Sequence, residues 1–354
     1  EILGPVLNRL YIVIGMLAIL AIAAAFIVPR FIQWGDYRDR MQVIAGEVLG
    51  TDVEIVGDVE FSLLPQPHLT VNEIRVGGAE QPVLTVAKAE AEFSLLDFLR
   101  DRYLITSLVL QQPRLEARVD QDGNLDVGIT LASDVTTSNV SVASARIVDG
   151  SLSLADERSG HTFGVARVDG ELRMDAVRGP FSFVGSGEHD GRAYDGRIAT
   201  SALDEEGTSQ LTLFVQPVDE SFSLNADGLL TTASAPSLEG TLTFRQAPPV
   251  VVAENEEPDV GRGDLVLTGK LQASPALVAL SDFVITPDEN RSGTRLTGKT
   301  EVTLGAAPSF EAELSGSVLG LSPGDATADQ ANLPYELVRL LSEVPVPPVP
   351  AIRG

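Results

Sequence analysis

The sequence predicts an all-β body: a long, curled antiparallel sheet or β-groove of repeated β-hairpins. It also predicts one N-terminal transmembrane α-helix and a short amphipathic helix. Three observations carry this. Nineteen uncharged, mostly aliphatic residues run from Leu10 to Val28, and no comparable stretch follows. From Val53 onward, apolar residues recur with a period of two. Turn signals then punctuate the chain at hairpin intervals.

The first run, as a helix rising about 1.5 Å per residue, spans roughly 28 Å, close to a bilayer's hydrocarbon core. Leu10, Ile14, Leu17, Leu20, Phe26 and Val28 belong to this membrane anchor. A signal peptide would need a shorter apolar core and a small-x-small cleavage site. Ala21 to Ala25 mimic the small residues, but the apolar run continues to Val28, so an uncleaved anchor is expected. Arg9 precedes it, and Arg30, Arg38 and Arg40 follow it, so the local count does not favour an inside N-terminus. Long domains translocate largely regardless of such charges. The absence of Cys removes disulfides and thiolate metal sites, which permits an oxidising compartment.

Composition narrows the partners. A formal charge of −25 and a pI near 4.4 argue against nucleic acid, whose phosphates this surface would repel. The same charge gives no broad attraction to anionic headgroups, so membrane contact falls to the anchor or to apolar surface. Only 5% of residues are aromatic, which suits an extended aliphatic sheet better than a core built on large rings.

After the anchor, Tyr37, Met41, Ile44, Ala45 and Val48 form one apolar stripe on a short helix over 34–49, stopped by Gly50. Strands then begin. Val53, Ile55, Val59, Phe61 and Leu63 share one parity. Ala87, Ala89, Ala91, Phe93 and Leu95 form a second set, opposed by Lys88, Glu90, Glu92 and Ser94. Turns at Asp122-Gly123-Asn124, Ser159-Gly160, Asp190-Gly191, Glu206-Gly207 and Ser292-Gly293 mark about sixteen strands, expected to form an antiparallel meander. The acidic, Pro-rich stretch 246–263 is expected to be a mobile loop. Four segments result: an anchor (1–30), a head of short helix plus strands (31–135), a repeated β-groove (136–322), and a short helix with Pro-rich linker (323–354). The chain opens without Met and closes on VPVPPVP (344–350), so an N-terminal piece of a longer protein is expected.

A small motif, apolar-x-Gly-x-apolar, recurs around Gly150, Gly170, Gly240, Gly269 and Gly316, with a partial copy at Gly298. Each glycine has the parity of the apolar residues, so it lies on the apolar face. Gly240, Gly269 and Gly298 are spaced 29 residues apart, which suggests a two-strand repeat. Such glycines mark bulges or bends, or they keep an apolar face open and curved; both can hold. Sixteen strands at ~4.8 Å stack to roughly 75 Å, with no amphipathic helices to cover them. The face must close on itself, meet a partner, or stay open as a trough.

Chemistry is sparse. His68, His161 and His189 sit at strand starts or turns, and no nucleophile elbow, P-loop or dinucleotide fingerprint is present. The run Asp120-Gln-Asp122-Gly-Asn124-Leu-Asp126 imitates a calcium loop but places Leu125 where Gly is needed and Leu131 where Glu is needed. A hairpin turn explains it. The expectation is a non-enzymatic protein with no cofactor and no metal.

The N-terminal half, by its ordered pattern, resembles the AsmA family of Gram-negative inner-membrane proteins. The pattern runs GTDVEIVGDVEFSLLPQPHLTVNEIRVGG (50–78), VLTVAKAEAEFSLLDFL (83–99), ITSLVLQQPRLEARVDQDGNLD (105–126) and VDGSLSLAD (148–156). It departs at Leu125-Asp126, where many members carry Trp directly after the Asn. The match is close from the anchor to about Asp156 and looser from Asp156 to about residue 320. The resemblance implies a single-pass inner-membrane protein with its C-terminal body in the periplasm. Its β-groove would shield phospholipid acyl chains in transport between inner and outer membranes. Candidate groove residues are Val59, Phe61, Leu63, Phe93, Leu95, Leu152, Leu172, Leu242 and Leu271. The implied partners are phospholipids, the inner membrane, and outer-membrane or periplasmic proteins. A non-enzymatic scaffold or assembly factor for outer-membrane proteins stays open as the alternative.

Overall fold

The computed structural model describes residues 35–62, 66–78, 81–94, 103–129, 140–142, 144–174, 179–204, 206–232, 236–246, 265–287 and 296–316. The anchor, the acidic stretch 247–264 and the segment 317–354 lie outside these residues, as do Leu63 and Leu95. Among the described residues, the protein is all-β apart from one helix, and no helix is long and apolar enough to cross a membrane. The described residues hold nineteen strands rather than about sixteen, four of them only two to four residues long. Contacts divide the chain into two units: 1–113 with 129–146, and 114–128 with 147–354.

In the first unit, α1 (Gly35–Leu49) precedes β1 (Val53–Ile55), β2 (Val59–Ser62), β3 (His68–Val76), β4 (Leu84–Phe93) and β5 (Tyr103–Gln111). The helix docks by polar contacts. Arg38 Nη2 donates to the Gly57 carbonyl (2.9 Å), and the Ile55 amide donates to Gln42 Oε1 (2.7 Å). Ile44, expected in the buried stripe, is therefore on the exposed side with Val43. β1 and β2 both pair with β3, broken at Gly57. A Cβ there would lie 2.7 Å from the Asn72 carbonyl oxygen, so only glycine permits this approach. Glu73 next door has φ 50°, and the β3–β4 register passes from Asn72↔Lys88 to Ile74↔Val86. The register itself is kept and only the Glu73/Ala87 pair is skipped, yet the buried side changes there: Val86 is buried and Ala87, expected inside, is exposed.

The connection after β5 departs from a meander. In the second unit, β6 (Arg114–Val119) and β7 (Leu125–Asp126) form a tight hairpin. The first unit's β8 (Val140–Val142) then pairs parallel to β5. β9 (Ser144–Asp156), which belongs to the second unit from Ile147 on, pairs parallel to β6 over Ser151–Asp156. The segment between β7 and β8 is long enough to carry the chain back, which the local turn signals did not show.

From there the meander is regular. It runs β10 (His161–Met174), β11 (Phe181–His189), β12 (Arg192–Thr200), β13 (Thr208–Pro217), β14 (Phe222–Thr231), β15 (Ser237–Gln246), β16 (Leu265–Ala273), β17 (Leu277–Pro287), β18 (Leu296–Thr303) and β19 (Ser309–Gly316). Each pairs antiparallel with the next. Leu280, Phe283, Ile285 and Leu296 form a buried cluster, with Leu242, Leu267 and Leu271 packed against it.

Candidate functional site

Direct cross-strand partners in an antiparallel sheet project to the same face, so register defines rows of side chains. One row in the second unit reads Leu172, Phe183, Ile198, Leu213, Ala226, Leu242 and Gly269. Two residues along each strand lies another: Met174, Phe181, Thr200, Leu211, Gly228, Gly240, Leu271 and Leu280. On the other side runs Gly170, Gly185, Gly196, Val215, Leu224, Phe244, Leu267, Ile285 and Leu296. The intervening rows belong to the opposite face and are mostly polar, for example Arg173, Ser182, Ala199, Thr212, Asp227, Thr241 and Lys270. The apolar residues thus form one continuous face across successive strands.

This face is not uniformly covered. Phe283 is 3% exposed and Leu296 1%, whereas Ile198 is 41% exposed and Phe181, Phe183, Leu211 and Leu213 are half-buried. The face is closed at β17–β18 and open at β11–β13. At β11–β13 the face therefore keeps apolar surface in contact with solvent.

The glycines set its floor. At Gly170 a Cβ would meet the Phe183 ring at 2.6 Å, and at Gly269 it would meet Phe283 Cβ at 2.6 Å. Gly298 lies under the Phe283 ring and against the Glu313 carbonyl. Gly240 packs on Gly228, its partner across the strands, and against the Asp227 carbonyl. Glycine at these positions supplies close approach: rings lie over the backbone, and strands bend together on the apolar side. Gly269 also sits at a register shift, the bulge expected of it. Gly150 is buried on β9, and Gly316 is exposed on β19. Gly196 alone in its part of the row is open, with its nearest neighbour, the Phe214 carbonyl, at 3.9 Å.

The structure places the other sequence candidates in two groups. Leu172, Leu242 and Leu271 share the apolar face just described. Leu152, 37% exposed on β9, pairs with Leu115. Val59, Phe61 and Phe93 belong to the first unit, where Val59 pairs with Val71, and Phe61 with Leu69. Phe181, Phe183, Ile198, Leu211 and Leu213 went unassigned in the sequence, although the alternation in FSFVGSG (181–187) carried the signal. What was missing was register, which brings them into line.

One end of the apolar face is polar. His189 pairs with Arg192 at the β11–β12 turn, two residues beyond the Gly187–Tyr194 pair. Arg192 Nη2 donates to Asp219 Oδ1 (2.9 Å) and Oδ2 (2.8 Å), and also bonds the Ser221 hydroxyl. Its guanidinium lies 5.4 Å from the Phe222 ring centroid and 5.9 Å from that of Tyr194. Phe222 in turn stacks on Phe244 at 5.5 Å. The Arg192 hydrogen bonds hold the Asp219 carboxyl below its ordinary range, while burial pushes the Tyr194 phenol up. His189 Nδ1 donates to the Gly164 carbonyl (2.7 Å), and its ring lies 4.5 Å from that of Phe163. His68 bonds Thr70 Oγ1 at 3.1 Å. The Asp120 loop is a hairpin turn: Oδ1 accepts the Asp122 and Asn124 amides, and Oδ2 accepts Asn124 Nδ2. Among the described residues no group of three or more His, Cys, Asp or Glu is placed to hold a metal ion.

Residues 6–315 match the AsmA family. The chain belongs to that family. The match covers both units of this AsmA-family protein, including the looser half of the sequence resemblance. No curated protein and no solved structure matches the chain significantly.

Proposed function

We propose that this AsmA-family chain is an envelope-biogenesis protein that shelters phospholipid acyl chains on the open apolar face of its second unit. On this reading, Leu10–Val28 hold it in the inner membrane, and the body works in the periplasm between the two membranes. The observation that carries it is the set of register-matched apolar rows, backed by polar rows and left half-exposed at β11–β13. A sixteen-carbon chain in water costs on the order of 12 kcal/mol at ~0.8 per methylene. Such a face removes much of that cost without catalysis or a cofactor, and net direction then comes from a lipid gradient.

A photoreactive residue at Ile198 or Leu213, on the apolar face, tests this in living cells against Arg197 or Thr212 on the opposite face. Lipid adducts confined to the first pair support the shelter, and Phe183→Asp should diminish them. β19 supports a second reading, a scaffold that takes partners by strand addition. It is exposed throughout, including Phe310 and Leu314, and among the described residues it pairs only with β18. Protein adducts alone, equal from both faces, would favour that scaffold over lipid.

A further inference from the structure

We propose that Arg192 and Asp219 form a headgroup site for a phosphate–ammonium zwitterion, so that the apolar face selects zwitterionic phospholipid. The proposal rests on the lipid-sheltering reading above and adds which lipid it takes and which way round.

Position comes first. Arg192 begins β12, and Tyr194, Gly196, Ile198 and Thr200 follow it at two-residue steps on the apolar face. At about 3.4 Å per residue, that path covers roughly 27 Å from the charged turn, room for an acyl chain laid along the strand. The other end of the same strands is different. The described residues of turn 201–207 offer Asp204 and Glu206 and no Lys or Arg. The Arg192 end therefore offers a phosphate a guanidinium, set among the exposed carboxylates of Asp190, Asp219 and Glu220, whereas the described residues of turn 201–207 offer it no cation.

Charge matching comes second. The bonds of Arg192 to Asp219 and Ser221 all leave from Nη2, so its Nη1 and Nε donors lie outside that pairing, each able to give a single bond to a phosphate oxygen. Asp219 is 60% exposed and within reach of solvent-borne cations. A bound zwitterion sets its phosphate on the guanidinium and its ammonium on the Asp219 carboxylate. Every charge keeps an opposite partner, so nothing is stranded at the edge of an apolar surface. The π faces of Tyr194 and Phe222 add to the hold on cationic groups there. An anionic headgroup brings a second negative charge beside Asp219, in a chain already at −25, with no ammonium to offset it.

Native mass spectrometry of the full chain, released from detergent after incubation with equimolar phosphatidylethanolamine and phosphatidylglycerol of identical tails, tests this. The wild type should carry more of the zwitterionic lipid. Asp219→Asn should shift the ratio toward the anionic lipid by about threefold, the size of one exposed ion pair. Arg192→Gln should reduce both adducts. A wild-type ratio of one, or an unchanged ratio in folded Asp219→Asn, would overturn the headgroup site while leaving lipid sheltering intact. No lipid adduct on the wild type would instead overturn the sheltering reading. Glycerophosphoethanolamine, the headgroup without tails, is the third arm. If it binds as readily as the lipid, the site serves a soluble zwitterion and the lipid assignment fails.

Discussion

Arg158 and Pro275 are 117 residues apart in sequence, yet Arg158 Nη2 donates to the Pro275 carbonyl at 2.7 Å. Arg158 follows β9, and Pro275 sits in the turn after β16. In a flat meander the seven pairings between those strands would hold them far apart. A twist of about 20–25° per step sums to nearly half a turn over seven steps and turns the two strand ends the same way, and the contact itself requires that the sheet of this unit also curl. Arg158 is only 11% exposed, is held by the Asp156 carboxylate, and lies 3.8 Å from where a Gly305 Cβ would stand. It ties three turns of the second unit together.

Replacing Arg158 by Ala should therefore destabilise the second unit by about 1–3 kcal/mol, leaving the Pro275 carbonyl and the Asp156 carboxylate without their donor. Urea unfolding of the full chain reads the loss. Hydrogen exchange should localise it to the turns at 157–160 and 274–276, and unchanged protection there would refute the tie.

The same contact predicts a pH dependence. The Arg158 hydrogen bonds hold the Asp156 carboxyl below its ordinary value of 3.8. A carboxylate lowered on folding contributes stability that is complete above its unfolded value and lost as pH falls through its folded one. The stability gap between wild type and Asp156→Asn should stay constant from pH 7 to about 5, then narrow below about 4. A gap that widens on acidification contradicts the assignment.

Glycines on the apolar face should divide into two kinds. Gly240→Ala drives a Cβ into the Asp227 carbonyl and should cost about 1–3 kcal/mol or more. Gly196→Ala meets nothing closer than 3.9 Å and its φ is not positive, so it should be neutral or stabilise by a few tenths. Thermal unfolding of the two variants side by side decides whether close approach or open space governs each position.

The closed end of the face should behave as core. Phe283→Ala, at 3% exposure and covering Gly269 and Gly298, should cost about 3–5 kcal/mol. Leu314→Ala, at 46% exposure on the edge strand, should cost under about 1 kcal/mol. Comparable losses at both sites would mean that the closed part of the face extends to Leu314 on β19.

Much of this protein is legible in its residues alone. Alternation gave an all-β body, glycine dipeptides gave its hairpins, and the order of weak motifs in 50–156 gave the AsmA family. These are local signals, and a period of two or a turn residue needs no distant partner. Features that depend on strand register emerge only in the folded chain. The fold showed that the buried side changes at Glu73, with Val86 buried in place of Ala87. It also showed that β8 and β9 return parallel to β5 and β6. It put Phe183, Ile198 and Leu213 in one row with Leu172 and Leu242. The glycine motif was legible, but its role was not, because the atoms that crowd Gly240 and Gly298 come from neighbouring strands. Arg192 and Asp219 looked like two ordinary turn charges, 27 residues apart. Their pairing at the end of an apolar face follows from which residue faces which across strands, and that is fixed by the summed pairings and twist of the folded sheet.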